Sequence, residues 1–300
     1  MKVYLDPKKA ENLSFISHAH SDHCPRSFKG TIIASRTTCA LMRKEPIGEC
    51  WHRATKLDGV SFSLHDSGHI PGSSQLLIEN GSRILYTGDL NLKGGLITKP
   101  AQTPKCDILI IEATFGKPHF TFPDKKVLAK EMRDWAEECH SKNLAPVFLG
   151  YSLGKAQELT RMFSKHYNVF VEDSVHRFNT RTEKLGINLG PYKHIDTFRN
   201  DCNSIIITPP HTAKNYAEAG YRIALASGWT TIGWKGKHSH IGFPLSDHSD
   251  HESLIRFVEK VSPQAVYTTH GYAAELSASL REKGFYSEPL SEVQTKLDQY

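Results

Sequence analysis

No two of the six cysteines stand at Cys-x-x-Cys spacing; they are scattered at positions 24, 39, 50, 106, 139 and 202. That argues against a cysteine-built zinc site and against a disulfide framework, and leaves buried or idle thiols as the expectation. Long apolar runs are missing too, and nothing approaches the roughly 20 residues that a membrane-crossing helix needs. The opening stretch, Met1-Lys2-Val3-Tyr4-Leu5-Asp6, reads as a strand and not as a signal peptide, so a cytoplasmic protein is expected. There are no internal repeats and no low-complexity segment. No zinc-finger or helix-turn-helix signature is evident, which disfavours sequence-specific binding of nucleic acid. What remains is an ordinary globular composition, with 39% hydrophobic and 23% charged residues over 300 positions, enough for one large domain or two smaller ones. The net charge of +5 is compatible with a polyanionic partner but does not identify one.

What the chain has is histidine, 17 in all, and one stretch concentrates it: Ser17-His18-Ala19-His20-Ser21-Asp22-His23. A strand would send these side chains to alternate faces, whereas a turn at a strand's end can aim them together. The preceding Leu13-Ser14-Phe15-Ile16 reads as that strand. Imidazole and carboxylate are ligands for zinc, and the pattern suggests adjacent metals, one on His18 and His20, the other on Asp22 and His23.

Up to residue 112 the pattern is one of short strands: Lys2–Leu5, Leu13–Ile16, Thr31–Ala34, Ser61–His65, Gln75–Glu79, Arg83–Tyr86 and Asp107–Glu112. Asn80-Gly81 suits a hairpin turn, and Thr37–Lys44 reads as one short helix. His69 lies between Gly68 and Gly72, which would let backbone come close to a metal or phosphate. Asp89 follows an apolar strand and a glycine; it could bridge two cations, or merely end a strand or cap a helix. Glu112 ends another apolar strand.

From about Lys117 strands and helices alternate, as in a parallel α/β layer. Expected there are helices at Asp124–Lys142 and Gly154–His166, and strands at Pro146–Leu149, Asn168–Glu172, Ser204–Thr208 and Tyr221–Ser227. The turn Gly150–Lys155 could bind phosphate through free N–H groups, or be a plain strand–helix turn. Ligand-type residues return in Ser246-Asp247-His248-Ser249-Asp250-His251, ahead of a helix at Glu252–Lys260, and in His270, after the strand Ala265–Thr269. A last helix is expected at Ala274–Lys283, and His238 and His240 read as solvated.

In this order the motifs resemble the metallo-β-lactamase fold, and within it the nucleic-acid-processing β-CASP branch. The residues that carry the resemblance are Asp6, the loop His18, His20, Asp22 and His23, then His69, Asp89, Glu112, His248 and His270. The resemblance implies an α/β fold: an αββα sandwich, residues 1–116 and 241–300, with an inserted α/β β-CASP domain, residues 117–240. It implies two divalent metal ions, zinc or manganese. One would be held by His18, His20, His69 and Asp89, the other by Asp22, His23, Asp89 and His270. Asp6 would orient a liganding His. His248 would give a proton to the leaving 3′ oxygen, Glu112 would orient it and favour its charged form, and Asp22 could take the proton of the attacking water.

The implied activity is hydrolysis of phosphodiester bonds in single-stranded nucleic acid by hydroxide activated between two metals. The wording around Tyr151–Gln157, Pro244–Asp250 and Tyr267–Tyr272 is similar to small prokaryotic exonucleases associated with DNA ligase. A 5′-3′ DNA exonuclease of repair type is therefore expected, with a ligase or helicase as pathway partner, and RNA processing is the alternative. Ser152, Lys155, Arg177 and Arg181 are candidate nucleic-acid contacts, and Tyr151 and Trp229 candidates for base stacking. A small-molecule hydrolase of the same fold would not need the insert, and a non-catalytic scaffold would not need the intact ligand set.

Overall fold

The computed structural model describes residues 2–42, 50–51, 55–199 and 203–290. It divides into two compact units: one holds the residues up to Gly94, Lys99–Phe120 and those from His248 onward, the other Gly95–Thr98 and Thr121–Asp247.

The first unit is built on two sheets. The smaller is parallel, in the order Tyr4–Leu5, Leu13–Phe15, Thr31–Ile33, Cys50–Trp51. The larger runs Ser287–Pro289, Ala265–Thr269, Ile108–Glu112, Ser82–Tyr86, Ser74–Asn80, Val60–Asp66, Thr55–Leu57, parallel at its first three pairings and antiparallel beyond. Alternation along the strands creates the layers. Ile110, Tyr86 and Leu76 face Leu13, Phe15 and Ile33 of the small sheet. Leu109, Ile111 and Leu85 face the other way, onto Leu254, Phe257 and Val258 of the helix His251–Val261 and Leu276 and Leu280 of the helix Ala273–Glu282. The hairpin turn forms at Gly81 (φ 75°) between Asn80 and Ser82, as Asn-Gly led us to expect. The early helix spans Arg36–Leu41; the end of its expected range, Arg43 and Lys44, lies outside the described residues.

The second unit holds a six-stranded, wholly parallel sheet in the order Lys193–His194, Asn168–Val171, Ser204–Thr208, Pro146–Leu149, Arg222–Ala226, Ile241–Phe243. Both faces are covered, as parallel sheets require. Phe148, Val169, Ile205 and Ala224 pack under the helices Lys125–Ser141 and Lys155–Phe163, through Met132, Trp135, Leu159 and Phe163. Val147, Phe170, Ile206 and Ile223 form the opposite core. Asp124 caps its helix as expected, its side chain accepting from Lys126 N–H. This mixed α/β, multi-sheet architecture agrees with the fold class read from the sequence. The helix Asp173–Lys184 and the strands Lys193–His194, Ile241–Phe243 and Ser287–Pro289 were not anticipated. Among the described residues no helix is long and apolar enough to cross a membrane.

Candidate metal centre

The site grows from the ends of strands in the first unit. Asp6 follows Tyr4–Leu5 in a left-handed conformation (φ 43°), and its carboxylate gathers four donors. Oδ1 accepts from Ser17 N–H at 2.7 Å, and Oδ2 from Ser17 Oγ at 2.6 Å, Tyr86 OH at 2.9 Å and His23 Nδ1 at 2.9 Å. Ser17 gives its one hydroxyl hydrogen to Asp6, so at 2.9 Å it accepts from His18 Nδ1–H. That proton count leaves Nε2 of neutral His18 as a bare lone pair. His18 is fully buried, and burial, then the neighbouring imidazoles, hold its pKa well below the usual histidine value. Ser17 and Tyr86 were missed in the sequence. Ser17 stands next to His18 but carries no ligand signature, and Tyr86 is 80 residues from Asp6.

Four donors converge. His18 Nε2 lies 3.0 Å from His20 Nδ1, and His69 Nε2 lies 3.2 Å from the same atom. Asp89 Oδ2 lies 3.4 Å from His18 Nε2 and 3.5 Å from His69 Nε2. A tetrahedral ion with ligands at about 2.0–2.1 Å has ligand–ligand edges of about 3.3–3.4 Å, so these four atoms fit one small cation. The described residues contain this set as a group able to hold a metal.

The glycines around it allow close packing. A Cβ on Gly68 would lie 2.2 Å from Asn91 O, and one on Gly72 2.6 Å from Thr37 Cβ. Their need is for close packing of the His69 loop on its protein neighbours. Gly88 (φ 54°) lets the Asp89 loop pass Ser17, where a Cβ would come within 2.4 Å of that residue's Cβ.

The other expected ligands are arranged more loosely. His23 gives Nδ1–H to Asp6, and its Nε2 lies 3.5 Å from Asp89 Oδ2 and 3.8 Å from Asp22 Oδ2. Burial opposes charge on His23, but its hydrogen bond to Asp6 and the charge of Asp89 outweigh it and raise its pKa to about 9. The Asp22 side chain is 79% exposed. His270, in a left-handed conformation (φ 62°) beyond Ala265–Thr269, has its ring 5.6 Å from that of His23. Burial, then His23, lowers the His270 pKa. Asp89 is shared between the two groups. Its burial pushes the pKa up to about 7 against the pull of His248 and His23.

Buried Glu112 and half-buried His248 form a pair across 136 residues, with Glu112 Oε1 2.9 Å from His248 Nδ1. Glu112 Oε1 also accepts from Leu90 N–H at 2.8 Å, and Oε2 from Thr114 N–H at 3.0 Å. Burial would raise the Glu112 pKa, yet His248 and these hydrogen bonds bring it to about 2. With Nδ1–H on Glu112, the imidazole presents Nε2, 3.9 Å from Asp89 Oδ2. Ser249 holds the next turn, donating N–H to Leu90 O at 2.7 Å and accepting Leu92 N–H at 2.9 Å.

The candidate nucleic-acid contacts lie in the second unit. Lys155 is only 2% exposed, with Nζ 3.0 Å from Asp247 Oδ1, so its ammonium is turned inward. A Cβ on Gly150 would sit 2.9 Å from Lys155 Cγ; the missing side chain makes the slot for the lysine stem. Two N–H groups of the turn are spent internally, Gly154 N–H on Gln157 Oε1 and Ala156 N–H on Tyr151 O. Ser152 Oγ bonds Ser174 Oγ at 2.7 Å. Arg177 is exposed and Arg181 half-buried on the helix Asp173–Lys184, both against the Phe178 ring. Tyr151 is 57% exposed and Trp229 half-buried. His240 is not simply solvated, since its Nδ1 accepts from Ile223 N–H at 3.1 Å.

No family model matches the chain. A probable DNA ligase of Opitutus terrae is 36% identical over 94% of this chain and 29% of its own length. An RNase J-like protein of Methanocaldococcus jannaschii is 30% identical over 53% of this chain and 44% of its own. The human DNA cross-link repair 1A protein is 26% identical over 90% of this chain and 29% of its own. The chain thus spans less than half the length of each of these relatives. A solved protein of unknown function from Enterococcus faecalis shares the fold, with a TM-score of 0.66 at 18% identity over 93% of this chain and 79% of that one. The curated relatives fall into one family, and this chain belongs to it: the β-CASP branch of the metallo-β-lactamase fold.

Proposed function

We propose that the chain is a cytoplasmic, metal-dependent nuclease that hydrolyses phosphodiester bonds of single-stranded nucleic acid, and that it acts as a 5′-3′ exonuclease on DNA. Membership of the family implies divalent metal ions. The observation that carries the reading is the convergence of His18, His20, His69 and Asp89 on one point, with the Glu112–His248 pair beside Asp89. These four residues would hold one ion. Asp22, His23, Asp89 and His270 would hold a second, and an all-imidazole and carboxylate set favours zinc and admits manganese. The bound ions supply a lowered pKa for water and positive charge for the phosphate.

The chain's own residues do the rest. Asp6 fixes the tautomers of His18, through Ser17, and of His23, keeping both Nε2 atoms turned inward. Glu112 holds Nδ1–H of His248, so a second proton can reside only on Nε2, on the side of Asp89, where it can pass to the leaving 3′ oxygen. Asp22, exposed, can accept the proton of the attacking water and release it to solvent. The second unit is assigned as the β-CASP domain, and Ser152, Arg177 and Arg181 as its candidate contacts to the polymer.

DNA is preferred because relatives matched over at least 90% of the chain carry DNA ligase and DNA repair names. A ligase is the corresponding candidate partner. RNA is the second reading, favoured by the RNase-named relative and by a histidine at 270. The test is cleavage of matched DNA and RNA oligonucleotides, each labelled at either end and with or without a 5′-phosphate, in zinc, manganese or chelator. Chelator-sensitive shortening of DNA from its 5′ end is expected. Preference for RNA, or internal cuts, would move the protein to the second reading, and no cleavage of either would reject both.

A further inference from the structure

In the second unit, the strand Arg222–Ala226 and its parallel neighbour at the sheet edge, Ile241–Phe243, are joined by a connection with an unusual surface. From Ala219 to Ser246 the chain has no acidic residue, but it has Arg222, Lys235, Lys237, His238 and His240. The same stretch holds two of the four tryptophans, Trp229 and Trp234. Trp234 is 54% exposed and Ile232 50% exposed, with Lys235 and Lys237 exposed beside them. Tryptophan is on average a highly buried residue, so a ring left half in water beside two cations calls for a use.

The connection is held in place. Gly228–Ile232 forms one 3-10 turn, with Ser227 Oγ accepting from Trp229 N–H. Thr230 Oγ1 donates to Ser227 O and Thr231 Oγ1 to Gly228 O, both at 2.8 Å, and Gly233 closes the turn at φ 79°. Lys235 Nζ donates to His240 O at 3.1 Å, while His240 is tied to Ile223. Gly242 leaves the space that Thr230 fills, since a Cβ there would lie 2.7 Å from Thr230 Cγ2. Trp234 directly follows this turn, so the backbone that carries its ring is already placed when something stacks on it.

We propose that this connection is a platform for single-stranded nucleic acid, with a base stacked on Trp234 and the flanking phosphates neutralised by Lys235 and Lys237. The choice of polymer rests on the nuclease reading above; the platform adds a contact that reading does not supply. Aromatic faces interleaved with cations are what sequence-tolerant strand binding uses. Protein interfaces, by contrast, are depleted in lysine.

The experiment is equilibrium binding of fluorescein-labelled single-stranded DNA and RNA to the whole chain in chelator, with cleavage measured separately in metal. Trp234→Ala should weaken binding about 5- to 150-fold, the loss expected for one base stack, and Trp234→Phe should retain most of the affinity. Lys235→Ala with Lys237→Ala should reduce the slope of log affinity against log salt by about 1.4, two single-strand phosphates. Tryptophan fluorescence should be quenched on binding, and the quench should shrink in Trp234→Phe. Val127→Ala, an exposed position in the same unit (53%), is the control and should bind as wild type. Wild-type affinity and salt slope in the Trp234 and lysine variants would overturn the platform. So would a change only in self-association, which would assign the surface to a second copy of the chain. If wild type cleaves and Trp234→Ala keeps its KM, the platform fails and the nuclease reading stands. If wild type binds with the expected variant effects but never cleaves in metal, the nuclease reading fails and the platform stands. Binding of neither polymer in chelator would overturn the platform, and absence of cleavage in metal as well would overturn both.

Discussion

The two donor groups around Asp89 differ in how much of their geometry the protein supplies. In the first, His18 and His69 are buried, and their Nε2 atoms lie within 3.5 Å of Asp89 Oδ2. Asp6 and Ser17 set the His18 tautomer, and tight glycine packing sets the His69 and Asp89 loops. In the second, His23 is equally well oriented by Asp6, but Asp22 is 79% exposed and His270 stands 5.6 Å away ring to ring. The first group is preorganised, so a cation loses little to reorganisation on entering. The second must draw in an exposed carboxylate. On the proposed two-ion reading, the first group is expected to fill before the second.

The sharpest way to break the comparison is at the shared residue. Asp89→Ala should abolish cleavage and remove bound metal from both groups, whereas His270→Ala should leave one ion per chain. Metal content by elemental analysis decides it, and equal losses in the two variants would erase the distinction. Next in size is His248→Ala, expected to keep full metal content while turnover falls by about 10²–10⁴, the usual contribution of a general acid. Normal turnover in that metal-loaded variant would remove His248 from the mechanism. Asp6→Asn touches both groups through His18 and His23, and should weaken metal affinity about 10- to 100-fold without abolishing it. Competition with a fluorescent chelator measures this, and an effect on one group alone would show that Asp6 serves only that group.

The smallest effect is on stability. Glu112 has a folded pKa of about 2, below its ordinary value of 4.5. Its contribution to stability is therefore present above about pH 4.5 and lost as pH falls towards 2. Metal-free protein should lose stability across that window, and Glu112→Gln should flatten the loss. Identical acid profiles in denaturant melts would show that the pair does not support the fold.

The candidate ligand loop stood out because six consecutive positions, His18 to His23, hold four of the seven expected metal ligands behind an apolar strand. The alternation beyond Lys117 likewise announced a parallel layer. The helix Asp173–Lys184 was not anticipated because Asp, Asn, Thr and His lower its propensity. Its core face was nonetheless present at helical spacing in Val175, Phe178, Asn179 and Thr182. The two-residue strands Cys50–Trp51 and Lys193–His194 carry too little sequence to show a period. Lys155 was read as a candidate nucleic-acid contact because its ion-pair partner, Asp247, lies far along the chain and no local pattern links them. Trp234 was passed over for the same reason, since exposure is a property of the folded turn.

On the proposed reading two ions are needed and they arrive in order. Titration of zinc or manganese into chelated protein, with bound ions counted and cleavage of a 5′-phosphorylated single strand followed, distinguishes this from a one-ion site. The expected result is a first equivalent bound with little cleavage and a second that brings activity. Full activity with one equivalent bound, or two ions entering together, would overturn the ordered two-ion reading.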